Sequence, residues 1–141
     1  MENLSHRTAR HRSELSAPMR EMQSLVKGRT LDYGCGKGTD ADILGLFKYD
    51  LYYAPDRPEG KFDVIFCNYV LCVVEEVDQQ AIIDDIKSLL EDDGVAYISV
   101  RRDKKNLNGW TSRQTYQRLV ELDEEVHSEV KGRYIIYKVT K

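Results

Sequence analysis

The sequence predicts an open α/β fold built on a mostly parallel sheet, and two patterns in it support this. Short apolar runs that suit buried strands alternate with helical patterns between residues 30 and 100. Two further strand-like runs, 126–130 and 134–139, are separated only by a short turn, which predicts a C-terminal antiparallel hairpin. A length of 141 residues fits one domain. The connections between its parallel strands are expected to be right-handed.

The first half of the chain is predicted to begin with a helix. Ser16 is a suitable N-cap, Pro18 lies in the first turn where its missing N–H costs nothing, and Gly28 can close the helix. A strand over 30–33, a helix over 40–46 and a second strand over 48–53 follow.

The second half begins with a proline-containing loop over 54–60 and continues with an almost wholly apolar strand over 62–67. The clearest helix is predicted over 78–91, because its apolar residues recur on one face. Asp93-Gly94 is predicted to turn the chain into a strand over 95–100. The segment 115–122 fits either a capped helix or a strand, and both interpretations stay open.

The composition excludes several classes of protein. No run approaches the ~18 apolar residues that a membrane span needs, and the polar N-terminus is unlike a secretory signal. The three cysteines contain no CxxC pair and are not spaced with the histidines as ligand pairs. We therefore expect free thiols, no metal site, no membrane partner and a cytoplasmic location.

The most informative motif is a glycine loop between the first strand and the next helix. Glycines permit a sharp turn and let a ligand approach without Cβ collisions, while the helix start offers unpaired N–H groups. The loop has the spacing GxGxG, which differs from the GxGxxG of dinucleotide folds and from the GxxxxGK[ST] of phosphate loops. The acid Asp32 precedes the first glycine and can anchor the loop or accept from an ammonium group.

The loop segment LDYGCGKG resembles motif I of class I S-adenosylmethionine-dependent methyltransferases. Segments such as RTARHRSELSAPMR, GKFDVIFCNYVLCVVEE and GVAYISVRRDKKNLNG resemble a narrower group of small phage and bacterial methyltransferases, including those associated with DNA phosphorothioation. The resemblance implies a minimal Rossmann-like methyltransferase fold, with S-adenosylmethionine as cofactor and a methyltransferase activity. It covers nearly the whole chain.

The resemblance also implies the site residues. Asp50 matches the acid that holds the ribose hydroxyls, with Asp56 as a rival, and Asn68 and Tyr69 are the candidate catalytic residues. The full set implied to bind the cofactor is Asp32, Tyr33, Gly34, Cys35, Gly36, Lys37, Gly38, Asp50, Asn68, Tyr69 and Val70. One departure stands out. Only 12 residues separate Asp50 from Asp63, too few for the usual helix and third strand, so no adenine-selecting acid is named.

The segment 101–118 carries six Lys or Arg residues against Asp103 alone. Because ligands of open α/β sheets bind outside the carboxyl ends of strands, Arg101, Arg102 and Lys104 are predicted to contact the acceptor. A cationic rim favours an anionic acceptor, such as nucleic acid or a phosphorylated small molecule. The alternative is an ordinary solvated charged face.

Further expectations concern the domain organisation, the N-terminal arm and the reaction. Residues 16–141 are predicted to form the methyltransferase domain, and residues 1–15 a basic arm. The segment from His6 to Ser16 is predicted to close over the cofactor crevice, and the alternative is a disordered tail. Two alternatives to methyl transfer are an enzyme that degrades S-adenosylmethionine by lysis or hydrolysis, and a non-catalytic binding module with this fold. A general base is needed only if the acceptor must lose a proton, and Tyr69, His6 and His11 are the weak candidates.

Overall fold

A computed structural model describes residues 13–103, 107–110 and 116–141. The main sheet contains six strands: β1 (Thr30–Tyr33), β2 (Phe47–Tyr49), β3 (Phe62–Asn68), β4 (Leu90–Arg101), β7 (Glu125–Val130) and β8 (Tyr134–Thr140). Their order is β2-β1-β3-β4-β8-β7. The first four strands are parallel to one another, whereas β8 pairs antiparallel with both β4 and β7. Two short strands, β5 (Gly109–Trp110) and β6 (Tyr116–Gln117), form a separate antiparallel ribbon. The predicted α/β fold with a C-terminal hairpin is confirmed.

Helices cover both faces of the sheet. They are α1 (Ala17–Met22), α2 (Thr39–Leu44) and α3 (Glu76–Leu89), with 3-10 turns at Gln23–Leu25 and Leu71–Val73. Helix α3 buries Ile83, Ile86 and Leu89 against the sheet, as the apolar stripe predicted. Each such side chain contributes about 1.5–3 kcal/mol of burial.

The strand β3 divides the core because successive side chains of a strand point to opposite faces. Ile65 and Cys67 pack in the cluster that contains the α3 residues, whereas Val64 and Phe66 pack with Met19 of α1. A strand buried on both faces must be largely apolar, which explains the composition of this segment between Val64 and Cys67. The carboxyl ends of the four parallel strands therefore lie at one end of the sheet, where open α/β folds have their ligand-binding crevice.

The first helix is shorter than predicted. It ends at Met22 and continues only as a 3-10 turn to Leu25, so Gly28 does not close it. Gly28 has a φ of 58°, and a Cβ there would overlap the carboxylate of Asp63, which accepts a hydrogen bond from Arg29 N at 2.8 Å. Gly28 is thus required by a close approach to Asp63.

Two strand boundaries also differ from the prediction. β2 ends at Tyr49, because Asp50 begins a turn that is closed by reciprocal backbone hydrogen bonds with Ala54. β4 begins at Leu90, before the predicted turn at Asp93-Gly94, because Leu90 already pairs with Phe62. The pairing register then shifts between Phe62 and Val64, so the extra residues form an irregularity within the strand.

The ambiguous segment and the arm remain partly outside the described residues. Within 116–122, only Tyr116–Gln117 forms a strand, and no helix is present. Residues 1–12 are not described, so the predicted arm over 1–15 is represented only by residues 13–15. In the described ranges, no helix is long and apolar enough to cross a membrane.

Candidate active site

The glycine loop is positioned by the backbone of its neighbouring strand. The amides of Gly34 and Cys35 both donate to the carbonyl of Tyr49, at 2.7 and 3.1 Å. Gly34 has a φ of 73°, and a Cβ at this position would overlap Cγ2 of Val70. The first glycine is therefore needed both for its conformation and for the contact that brings Val70 to the loop.

Asp50 connects the loop to the shortened segment that follows it. One carboxylate oxygen accepts from Gly36 N at 2.8 Å, and the other accepts from Tyr52 N and Tyr53 N at 2.9 and 3.0 Å. A carboxylate has about four acceptor positions, so about one is left for a hydroxyl group. Asp56, the rival acid, is exposed in the loop beyond this turn.

The remaining loop residues occupy different environments. Asp32 is only 4% exposed, at the centre of the sheet. Burial, followed by the charges of Asp32 and Asp50, raises the pKa of the Cys35 thiol to about 12. Lys37 is exposed, and Gly38, with a φ of 84°, is the N-cap of α2.

A side-chain cluster that the sequence did not predict holds the shortened segment. Arg57 donates two hydrogen bonds to Asp85 of α3, at 2.6 and 3.0 Å, and lies 5.5 Å from the ring centroid of Tyr49. Tyr33 donates to the same carboxylate at 2.6 Å. Burial alone would raise the pKa of Asp85, but the hydrogen bonds from Arg57 and Tyr33 outweigh it and lower that pKa. We call Tyr33, Tyr49, Arg57 and Asp85 the edge clamp.

Because its hydroxyl is held by Asp85, Tyr33 faces α3. Burial, the hydrogen bond to Asp85 and that charge all raise the pKa of Tyr33 above its ordinary value. The phenol therefore stays protonated and serves to pack the sheet edge against the helix.

The chain adopts an unusual conformation where β3 ends. Tyr69 has a φ of 59°, a left-handed value that is costly for a bulky side chain, and its amide donates to Ser99 O at 3.0 Å. Ser99 Oγ donates to Asn68 Oδ1 at 2.6 Å. In the described part of the chain, Asn68 Nδ2 is buried and has no hydrogen-bond partner. Strain and an unpaired buried donor at one point are typical of a functional site.

A second unpredicted contact links the start of α1 to the glycine-loop helix. Ser16 donates from both its backbone N and its Oγ to the two carboxylate oxygens of Asp40, each at 2.8 Å. Both residues are buried, at 7% and 4% exposure. The chain that follows the arm is therefore fastened beside the glycine loop.

The predicted acceptor residues lie at the carboxyl end of β4. Arg101 pairs with Asp103 at 3.2 Å, and Arg102 donates to the hydroxyl of Tyr137 at 3.0 Å. Both arginines remain partly exposed. Lys104 lies outside the described residues.

The cysteines are buried and reduced, as expected. Burial raises the pKa of Cys72 to about 11 and also raises that of Cys67, so both thiols stay protonated near neutral pH. Among the residues that the structure describes, no group of His, Cys, Asp or Glu side chains could hold a metal ion.

Comparison with known families identifies the class. A family model described as Methyltransferase domain matches residues 2–127. The chain therefore belongs to this methyltransferase family, which confirms both the class I methyltransferase interpretation and the expected enzyme class. A comparison with curated protein sequences finds no match.

Solved structures show the same fold. A TehB-like SAM-dependent methyltransferase from Corynebacterium glutamicum is 19% identical, with 91% of this chain and 89% of that chain covered and a TM-score of 0.65. A 1,6-didemethyltoxoflavin-N1-methyltransferase from Burkholderia thailandensis, with S-adenosylhomocysteine bound, is 17% identical, with 97% and 78% covered and a TM-score of 0.58. By contrast, the chain spans only 20% of PKMT2 from Rickettsia typhi, with 51% of this chain covered at 25% identity and a TM-score of 0.40.

Proposed function

We propose that this protein transfers the methyl group of S-adenosylmethionine to an anionic acceptor, either a nucleic acid or a phosphorylated compound. The observation that carries the proposal is the junction between the glycine loop and Asp50. Gly36 N and Asp50 meet at 2.8 Å where the carboxyl ends of β1 and β2 adjoin. Ligands of open parallel sheets bind outside the carboxyl ends of the strands, which is the side of the sheet on which this junction lies.

The residues at this junction fit S-adenosylmethionine, the cofactor of the enzyme class. Asp50 has about one acceptor position left for a ribose hydroxyl. Asn68 offers a buried, unpaired N–H donor on the neighbouring strand end, and Ser99 fixes its amide. Gly36, with a φ of 58°, carries no side chain that would block the loop.

Methyl transfer from S-adenosylmethionine requires few catalytic groups from the protein. S-adenosylmethionine supplies a methyl carbon on a sulfonium, so the acceptor's lone pair forms the new bond while the broken C–S bond leaves its electron pair on sulfur. The residues must therefore align the acceptor and exclude water rather than activate the donor. We assign this alignment to Asn68 and Tyr69 at the end of β3, where the left-handed backbone of Tyr69 supports a functional role.

The acceptor class rests on charge. Arg101 and Arg102 end the strand that adjoins β3, and with Lys104 they begin a segment of six cations against one acid. The ion pair with Asp103 and the hydrogen bond to Tyr137 orient these arginines without neutralising the segment as a whole. Positive potential at a crevice mouth concentrates anionic ligands.

The finer assignments belong to the same proposal. The sequence resemblance supports a place among the small phage and bacterial methyltransferases, including those associated with DNA phosphorothioation, and a cytoplasmic location. The division into an arm, 1–15, and a domain, 16–141, is supported by the fastening of Ser16 to Asp40.

Labelled cofactor tests the proposal against its alternatives. The protein is incubated with methyl-labelled S-adenosylmethionine, alone and with single-stranded DNA, RNA, protein or small-molecule extracts. Label should appear in an anionic fraction and should be lost in Asn68→Ala, while Val126→Ala, a change at the far sheet edge, retains it. Turnover without any acceptor would show lysis or hydrolysis, and failure to bind the cofactor would show a non-catalytic module.

A further inference from the structure

The ribbon formed by β5 and β6 carries an aromatic surface that the proposed mechanism does not use. Trp110 is 72% exposed, although tryptophan is usually largely buried. Its only ring neighbour among the described residues is Tyr116 on the paired strand, in an edge contact with centroids 5.5 Å apart. A large apolar side chain that is left open to solvent on a paired strand indicates a binding surface.

The aromatic contact continues on the other side of the tyrosine. The guanidinium of Arg118 lies 4.8 Å from the centroid of the Tyr116 ring and pairs with Glu75 at 3.0 Å. Trp110, Tyr116 and Arg118 thus form a continuous row, which we call the stacking row. Its inner end is fixed by Glu75, and its outer end is the exposed indole.

The stacking row is bonded to the chain close to the end of β3. Arg118 N donates to Cys72 O at 2.7 Å, within the 3-10 turn that directly follows Tyr69 and Val70. The two ends of the ribbon are also tied together, because Leu119 N donates to the side chain of Asn108 at 3.0 Å. The row is therefore bonded to the turn that directly follows the candidate catalytic residues Asn68 and Tyr69.

The charge of the segment selects the ligand. Aromatic side chains bind many planar groups. This row, however, belongs to the sequence segment 101–118, which contains six Lys or Arg residues and one acid. Exposed aromatics among cations are the combination with which proteins bind single-stranded nucleic acid, by stacking the bases and attracting the phosphates. Acids border the inner end of the row, where Glu75, Glu76 and Glu121 line a cavity of about 520 Å³ together with Tyr116 and Arg118. Phosphates would thus be directed toward the outer, Trp110 side.

We propose that Trp110 is a stacking platform for a base of single-stranded nucleic acid, the anionic acceptor of the methyl group. This inference rests on the proposed function, whose acceptor class it narrows. Stacking needs an unpaired base with an open face, so duplexes should bind more weakly than single strands. Phosphorylated small molecules lack the combination of stacked bases and a phosphate backbone, so they should bind more weakly than a single strand.

The sequence provides its own probe, because Trp110 is the only tryptophan. Intrinsic fluorescence is followed while the full-length protein is titrated with an oligothymidylate of about eight nucleotides, a length within the usual range for such sites. We expect saturable quenching, weaker binding as salt is raised, and weaker binding to the same sequence in a duplex. Inorganic polyphosphate, which has charge without bases, should not quench comparably.

Variants separate stacking from charge. Binding of a fluorophore-labelled oligonucleotide, measured by anisotropy, should weaken about tenfold or more in Trp110→Ala and much less in Trp110→Phe. Val126→Ala, which trims another exposed apolar residue, should bind as wild type. Equal affinity of Trp110→Ala and wild type would refute the platform, as would quenching by tetramethylammonium without quenching by the oligonucleotide. Calorimetry of wild type with S-adenosylhomocysteine tests the cofactor site separately, so the two proposals fail independently.

Discussion

The glycine loop and the shortened segment 50–61 border the same crevice, yet different forces hold them. The loop is fixed by backbone hydrogen bonds, since the amides of Gly34 and Cys35 donate to the carbonyl of Tyr49 on the neighbouring strand. The shortened segment is fixed by side chains from distant parts of the chain, chiefly Arg57 on Asp85, 28 positions away. Backbone hydrogen bonds thus hold the glycine-loop half of the site, and a long-range ion pair helps to hold the half in which the usual helix and third strand are missing.

The largest effect is expected in the backbone-held half. Gly34→Ala should lower the free energy of unfolding by about 2–5 kcal/mol, because it adds left-handed strain and an overlap with Val70. Gly45→Ala is the matched control, since Gly45 has a similar φ of 69° but open space around it, and should cost about 1–2 kcal/mol. Urea denaturation measures both, and equal losses would mean that the contact with Val70 does not shape the loop.

An intermediate effect is expected at the junction between the halves. Asp50→Ala should weaken the binding of S-adenosylhomocysteine by about 1–3 kcal/mol, because it removes an acceptor for the ribose and for Gly36 N. Asp56→Ala, a nearby change of the same type, should leave the affinity unchanged. Calorimetry distinguishes them, and a loss confined to Asp56→Ala would show that the wrong acid has been assigned.

The smallest effect is expected in the side-chain-held half. Asp85→Asn should lower the free energy of unfolding by about 1 kcal/mol near neutral pH, because the pair with Arg57 is partly exposed. The folded pKa of Asp85 lies below its ordinary value of 3.8, so its stabilisation is present above that value. The stabilisation is lost as the pH falls through the lowered folded pKa.

Denaturation at several pH values checks this prediction. The stability difference between wild type and Asp85→Asn should shrink toward zero in acid. Asp84→Asn, which changes an exposed carboxylate of α3 that accepts from Gln80, is the control and should differ little from wild type at any pH. A difference that persists in acid would show that the edge clamp does not act through its charge.

The same contrast explains what the sequence predicted. The strand at 62–67, the helix near 78–91 and the glycine loop were recognisable because periodicity and glycine spacing are local properties. The boundaries at Tyr49 and Leu90 were missed because a turn bridge and a pairing partner decide them. Local patterns do not contain that information.

The site was predictable to a similar extent. The sequence placed Asp50, Asn68 and Tyr69 at strand ends, and in the structure Asp50 directly follows β2, Asn68 ends β3 and Tyr69 directly follows it. It did not predict the bonds between Ser16 and Asp40 or between Tyr33 and Asp85, because their partners are 24 and 52 positions apart. A buried hydroxyl or acid in a single sequence gives no signal of which distant residue will pair with it.

Calorimetric titration of the wild-type protein with S-adenosylhomocysteine tests whether the glycine loop binds the cofactor product, on which the proposed methyl transfer depends. Wild type should bind with one site per chain, and Gly36→Val should not bind, because a branched side chain would stand in the loop at a φ of 58°. Gly45→Val, with comparable backbone strain outside the crevice, should retain binding. Absence of binding by folded wild type, or equal affinity of wild type and Gly36→Val, would contradict the account.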